Sequence, residues 1–179
     1  ILENPTLESQ GTEILIDILH KVEFNEDDFK NIVDYCNKKQ ITFLCTPWDI
    51  PSVDFLERLN VSGYKIASAD MTNFPLLKHI SKTKKPLIIS TGMSSMDEIQ
   101  KTVIFIKNQD VPFLILHCNS TYPSPVEMLN LELIPVLREK FDVPIGYSGH
   151  ESDIIPSVTA ANMGAVLIER HITLDKTMD

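Results

Sequence analysis

The sequence is short of cysteine, of positive charge and of long apolar runs, and each shortage removes a class of protein. The three cysteines, Cys36, Cys45 and Cys118, form an odd set without metal-motif spacing, so they read as reduced thiols rather than as a disulfide framework. With 16 Lys and Arg against 25 Asp and Glu, the formal net charge is -9, which excludes nucleic-acid binding through the overall field. Binding of a small anion stays open, provided the cations are local. No apolar run approaches the roughly 20 residues of a membrane helix, and no charged-then-apolar signal segment opens the chain. The expectation is a cytoplasmic protein with no membrane partner. No glycine-rich dinucleotide fingerprint follows the first apolar run.

What is present is a soluble composition, 43% hydrophobic and 23% charged, in a chain of 179 residues that can bury one sizeable core. Short runs rich in branched residues recur: "ITFLCT" from Ile41, "GYKIAS" from Gly63, "PLIIST" from Pro86, "PFLILHC" from Pro112, "PIGYSG" from Pro144 and "AVLIER" from Ala165. Near-continuous hydrophobicity over so few residues predicts parallel strands covered on both faces. Three runs begin with proline, where a missing N–H does least harm.

Helical periods lie between the runs. "NEDDFKNIVDYCNKK" sets Phe29, Ile32, Val33 and Cys36 on one face, and "SMDEIQKTVIFIKNQ" opens with Ser95 and Glu98 in capping-box spacing. Weaker periods predict helices over 53–59, 74–80, 131–141 and 155–161. The first 24 residues read as a loop and a helix.

Strand starts about 20 to 30 residues apart fit β-α repeats, which close as a barrel or open as a doubly wound sheet. Polar and ionisable residues follow every run: Thr46-Pro47-Trp48-Asp49, Ser68-Ala69-Asp70, Ser90-Thr91-Gly92, His117-Cys118-Asn119-Ser120, Ser148-Gly149-His150 and Glu169-Arg170-His171. Such a ring of strand ends favours a (β/α)8 TIM-type barrel. A full barrel takes about 250 residues and eight strands, so six runs predict a partial barrel lacking two strands. The opening at Ile1 and the stop at Asp179 suggest a piece of a longer protein.

Four groups carry chemistry. His150 and His171 end consecutive strands, and two imidazoles there either share a divalent metal or each cap a strand. Alternation turns Lys65 away from Tyr64 and Ile66, toward a polar cavity or an edge. It reads as a fixed cation for phosphate or carboxylate, as a Schiff-base nucleophile, or as a snorkelling side chain. Ser68, Ser90, Thr91, Ser120 and Ser148, with Gly92 and Gly149, make a plausible oxyanion cradle. Glu169 and Arg170 read equally well as structural ion-pair partners of a barrel lysine and a helix carboxylate. His20 and His79 read as surface residues.

The segments "FLCTPWD", "YKIASADMTN", "IISTGM", "HCNSTYPSP", "IGYSGHE" and "LIERHITLDK", in unbroken order from about Ile41 to Asp179, resemble the sialic acid synthase family, the N-acetylneuraminate and related nonulosonate synthases. The resemblance implies an enzyme whose (β/α)8 barrel condenses phosphoenolpyruvate with an N-acylated amino sugar such as N-acetylmannosamine. It implies a divalent cofactor, manganese or else magnesium, held by His150 and His171. By the same resemblance Lys65, Ser68, Thr46, Ser90 and Ser148 bind phosphoenolpyruvate. Tyr122 contacts the sugar, Asp70 stands at an acidic position near it, and Trp48 fills a usually aromatic one. Ser120 matches a position that varies between Asn and Ser.

On this reading residues 1–179 span about strands three to eight of the catalytic barrel of a homodimeric parent. The family's first two strands and its C-terminal antifreeze-like domain are absent, and the chain alone is expected to be inactive. A Schiff-base aldolase using Lys65, or a non-catalytic binding or scaffold fragment, is the alternative.

Overall fold

The computed structural model describes residues 23–175 and Thr177; the expected first loop and helix, with His20, lie outside the described residues. Ile1–Phe43 and Leu44–Asp179 form two separate compact units. Of the first unit, the structure describes helix α1 (Glu26–Lys39) and its flanks. Asn25 caps it by accepting from the Asp27 and Asp28 N–H groups, and Asp28 answers by accepting from the Asn25 N–H. The predicted stripe of Phe29, Ile32, Val33 and Cys36 is half-buried.

The second unit repeats strand and helix: α2 (Ile50–Arg58), β1 (Tyr64–Ile66), α3 (Phe74–Ser81), β2 (Leu87–Ser90), α4 (Met96–Lys107), β3 (Phe113–Cys118), α5 (Leu133–Phe141), β4 (Ile145–Gly149), α6 (Ile155–Asn162) and β5 (Ile168–Arg170). The capping box of Ser95 and Glu98 is formed at the start of α4. The prolines that cannot donate to the ladder serve it as acceptors. Pro86, Pro112 and Pro144 take the N–H groups of Tyr64, Leu87 and Ile115 from the preceding strand.

All four ladders are parallel, and the strand order is β1-β2-β3-β4-β5 without reversal. An open doubly wound sheet reverses order at its switch point; this one does not. In a flat sheet, four spacings of about 4.8 Å would hold the outer strands roughly 19 Å apart. Lys65 on β1 and Glu169 on β5 nevertheless approach to 3.6 Å. The sheet is therefore curled into a half-barrel, an α/β fold.

Curling and register together sort the side chains. Tyr64, Ile66, Leu87, Ile89, Ile115 and Tyr147 face the helices, and each is at most 1% exposed. They pack with Leu56, Leu77, Ile80, Ile106, Ile134 and Leu137 into the core. Removal of this apolar surface from water is the main drive to close the repeats on one another. The opposite, concave face carries Lys65, Ser90, Cys118, Ser148 and Glu169, by the registers Lys65 to Ile88, Cys118 to Ser148 and Ser148 to Glu169.

Two sequence expectations are corrected. "ITFLCT" is not a strand: it contributes a single bridge from Cys45 to Tyr64, and Leu44 is 41% exposed. Its contact with β1 is the Cys45 carbonyl accepting from the Lys65 N–H at 3.2 Å. "AVLI" is not buried throughout, since Val166 is 66% exposed and Ile168 37%; β5 has, among the described residues, only β4 beside it. Among the described residues no helix is long and apolar enough to cross a membrane.

Candidate active site

The concave face opens at the carboxyl ends of the strands into a cavity of about 540 Å³. Ten of the eleven residues that the family resemblance assigns to the site line it: Thr46, Trp48, Lys65, Ser68, Ser90, Ser120, Tyr122, Ser148, His150 and His171. Asp70 is not among the lining residues. It ends a 3-10 turn (Ser68–Asp70), where Oδ1 accepts from Asn73 and Oδ2 is buried without a partner.

Lys65 stands where alternation in β1 predicts. Its side chain is 14% exposed, and Nζ donates to Ser90 Oγ at 2.7 Å and to its neighbour's carbonyl, Ile66 O, at 3.1 Å. Burial holds its pKa below the ordinary 10.5, against the opposing pull of the Glu169 carboxylate. That setting disposes of the snorkelling alternative. Ser148 donates to Glu169 Oε2 at 2.6 Å, so one carboxylate joins the lysine and hydroxyl from opposite sides of the arc.

Next to this pair the loops supply a tight cradle. The Gly92 N–H donates to Ser68 Oγ at 3.0 Å, and a Cβ on Gly92 would lie 2.2 Å from Ser120 Oγ and 2.7 Å from Ser68 Oγ. Glycine is needed there for close approach rather than for backbone freedom. Cys118, free and buried, lies beneath, with Sγ 3.9 Å from Ser68 Oγ.

The two imidazoles form the other wall, with ring centroids 5.4 Å apart. Tyr122 stacks on His150 at 4.0 Å and meets the edge of His171 at 5.6 Å. His150 Nδ1 lies 2.6 Å from the Asn119 carbonyl, which can only accept, so Nδ1 carries a proton, and in the neutral imidazole Nε2 holds the lone pair. The Tyr122 hydroxyl lies within hydrogen-bond distance of that Nε2, at 2.9 Å. A histidine whose second nitrogen donates to a backbone carbonyl has the arrangement of a metal ligand. Among the described residues no three His, Cys, Asp or Glu side chains converge as a cation shell.

Glu169 is the residue that sequence reasoning undervalued. Alternation from His171 puts it on the inner face, and its lysine partner sits on the far strand rather than an adjacent one. Arg170 pairs with Glu151 in the loop after β4, not with a helix carboxylate. His79, expected at the surface, is partly exposed and bonds to Asp54 at 2.8 Å.

The NeuB family model matches residues 3–179. The chain is 42% identical to the N-acetylneuraminate-9-phosphate synthase of Mus musculus over 157 residues, which is 87% of this chain and 44% of that protein. It is 37% identical to the N,N'-diacetyllegionaminic acid synthase of Campylobacter jejuni over 171 residues, 93% of this chain and 51% of the other. Among solved structures, the N-acetylneuraminic acid synthetase of Leptospira borgpetersenii in complex with citrate superposes with a TM-score of 0.89 at 35% identity, covering 92% of this chain and 58% of that one. The chain spans about half the length of the curated relatives it matches.

Proposed function

The chain belongs to the NeuB family, and we propose that its cavity serves the condensation of phosphoenolpyruvate with an N-acylated amino sugar, giving a nonulosonate and inorganic phosphate. The observation that carries this reading is the single cavity into which five strands and their loops deliver Lys65, four serines, Glu169 and the His150–His171 pair. Lys65 set among hydroxyls suits a phosphate or carboxylate. Two imidazoles at the opposite wall suit a divalent cation beside a neutral, oxygen-rich sugar.

In this reading Lys65 and the Ser68, Ser90 and Ser120 hydroxyls bind the anionic groups of phosphoenolpyruvate. Tyr122 and Trp48 flank the sugar, and Thr46 and Ser148 complete the polar lining. His150 and His171 hold a divalent metal, manganese or magnesium, which when bound supplies Lewis-acid polarisation of the sugar's aldehyde oxygen. C3 of phosphoenolpyruvate forms the new bond to the aldehyde carbon, and the cationic C2 takes up water. Glu169, the one carboxylate among the lining residues, accepts the proton of that water. Collapse of the tetrahedral carbon then breaks the C2–O bond to phosphate, which leaves with the C2 hydroxyl proton as a ketone forms, and Glu169 returns the proton it took to the former aldehyde oxygen, which becomes a hydroxyl. Lys65 acts as a fixed charge throughout.

The test is calorimetric titration of the chain with phosphoenolpyruvate and with manganese. Phosphoenolpyruvate binding is expected to be lost in Lys65→Ala, and manganese binding in His150→Ala and in His171→Ala. Borohydride trapping of a pyruvate adduct on Lys65 would replace this reading with a Schiff-base lyase.

A further inference from the structure

The last rung of the β4–β5 ladder pairs Gly149 with Arg170. His150 and His171 are the residues immediately beyond it, so sheet hydrogen bonds stop one step before the imidazoles begin. His150 has further anchors: its ring engages Asn119 and Tyr122, and its carbonyl accepts from the Ser124 N–H at 3.2 Å. The His171 ring makes ring contacts with Tyr122 and His150 and, among the described residues, no hydrogen bond. Something other than the ladder must fix where β5 releases it.

Glu151 and Arg170 span this gap. Glu151 follows His150 in sequence, Arg170 precedes His171, and Glu151 is 3% exposed. Arg170 donates from Nη1 to the Glu151 carboxylate and from Nη2 to the Glu151 backbone carbonyl, so one planar fork grips both the side chain and the main chain. The other carboxylate oxygen accepts from the Tyr147 hydroxyl at 2.7 Å, and Ser157 Oγ accepts from Arg170 at 3.2 Å. Gly149 leaves the room this requires: a Cβ there would lie 2.7 Å from Glu151 Oε2 and 2.8 Å from Tyr147 Cε1.

We propose that the Glu151–Arg170 pair is a positioning clamp that holds the His171 ring against Tyr122 and His150. Neither residue is assigned a catalytic role: Glu151 is buried, and Arg170, although it borders the cavity, donates from both terminal nitrogens to Glu151. The clamp itself stands on geometry; only its consequence for metal binding rests on the reading of the histidines as ligands. Lysine in place of Arg170 keeps the charge but cannot bridge carboxylate and carbonyl as a fork does.

The experiment uses the full 179-residue chain, with nuclear Overhauser contacts between the rings of Tyr122, His150 and His171 as the readout. In Arg170→Lys the His171-to-Tyr122 contacts are expected to vanish, the His150-to-Tyr122 contacts to persist, and melting to remain cooperative. Unchanged His171 contacts in a folded Arg170→Lys would overturn the proposal. Should that variant fail to fold, Glu151→Gln, which keeps size and one acceptor, decides by the same two contacts. Manganese titration separates the two readings: affinity is expected to drop about 10- to 100-fold in Arg170→Lys, as for other groups that orient ligands. Absence of any histidine-dependent manganese binding in the unsubstituted chain would sink the metal reading, leaving the ring contacts to judge the clamp.

Discussion

Ser148 on β4 stands directly opposite Glu169 on β5, and its hydroxyl donates a 2.6 Å hydrogen bond across the ladder to the carboxylate. This rung fixes the carboxylate so that its other oxygen faces Lys65 at 3.6 Å. The charge that opposes the effect of burial on Lys65 is thus held by a neighbour's hydroxyl.

Removing that charge should expose the effect of burial. In Glu169→Gln the desolvation that lowers the Lys65 pKa loses its main opponent, so Lys65 is expected to titrate at still lower pH than in the unsubstituted chain. Carbon-13 chemical shifts of the labelled lysine Cε over an alkaline titration report it. Linkage gives the sign for stability: below pH 10.5 the unfolded chain binds this proton more readily than the folded one, so this residue's contribution to stability rises with pH there. Lys65→Met is expected to flatten that rise, and an unchanged alkaline slope would contradict the assignment.

Gly92→Ala should disable the cradle without unfolding the chain. The added methyl would stand between Ser120 Oγ and Ser68 Oγ, both flexible side-chain ends, so the backbone has no need to move. Phosphoenolpyruvate affinity is expected to fall about tenfold or more, equivalent to about 1.4 kcal/mol, while the urea midpoint stays nearly constant. Calorimetry and urea denaturation on the same preparation separate the two effects.

Gly146→Ala makes the opposite case. There a Cβ would meet Leu116 Cδ2 at 2.4 Å and the backbone carbonyl of Leu167 at 2.7 Å, and a carbonyl in a parallel ladder cannot step aside cheaply. Overpacking of this kind costs about 1–3 kcal/mol. A lowered urea midpoint with an unchanged slope is the expected result; a neutral substitution would mean that β5 is more loosely seated than the register implies.

At the opposite end of β1, Tyr64 and Lys85 both donate to Glu57 Oε1, each at 2.5 Å. Burial pushes the Glu57 carboxyl up, but the two hydrogen bonds and the lysine charge outweigh it and leave the pKa below its ordinary 4.5. Stability from this group is fully present above pH 4.5 and is lost as pH falls through the lower, folded value. Glu57→Gln is therefore expected to lose stability at neutral pH and to unfold over a range less sensitive to acid. Tyr64→Phe should cost about 1 kcal/mol. Urea midpoints measured between neutral and acid pH test both.

Local pattern made much of this site readable. Period-two alternation placed Lys65 inward, the Ser95 and Glu98 spacing located the start of α4, and the polar residues after each run marked the working end of the sheet. What local pattern does not encode is which residues stand opposite one another across strands. The Ser148 to Glu169 rung and the Lys65 to Glu169 meeting both depend on register and curl, so Glu169 read as one half of an ordinary ion pair. Composition also misled at both margins of the sheet. "ITFLCT" and "AVLI" have the residues of buried strands, but burial needs neighbours on both sides, and a sequence does not state how many it will find.

The order β1-β2-β3-β4-β5 also gives the site a history. Each strand pairs with the one made just before it, so the sheet can lengthen step by step from early residues to late ones with little long loop closure. Of the five described strands, Lys65 belongs to the first in sequence and Glu169 to the fifth. A growing chain therefore carries its lysine position through three further strands before the balancing carboxylate arrives, and the Lys65 to Glu169 meeting waits for β5 to dock.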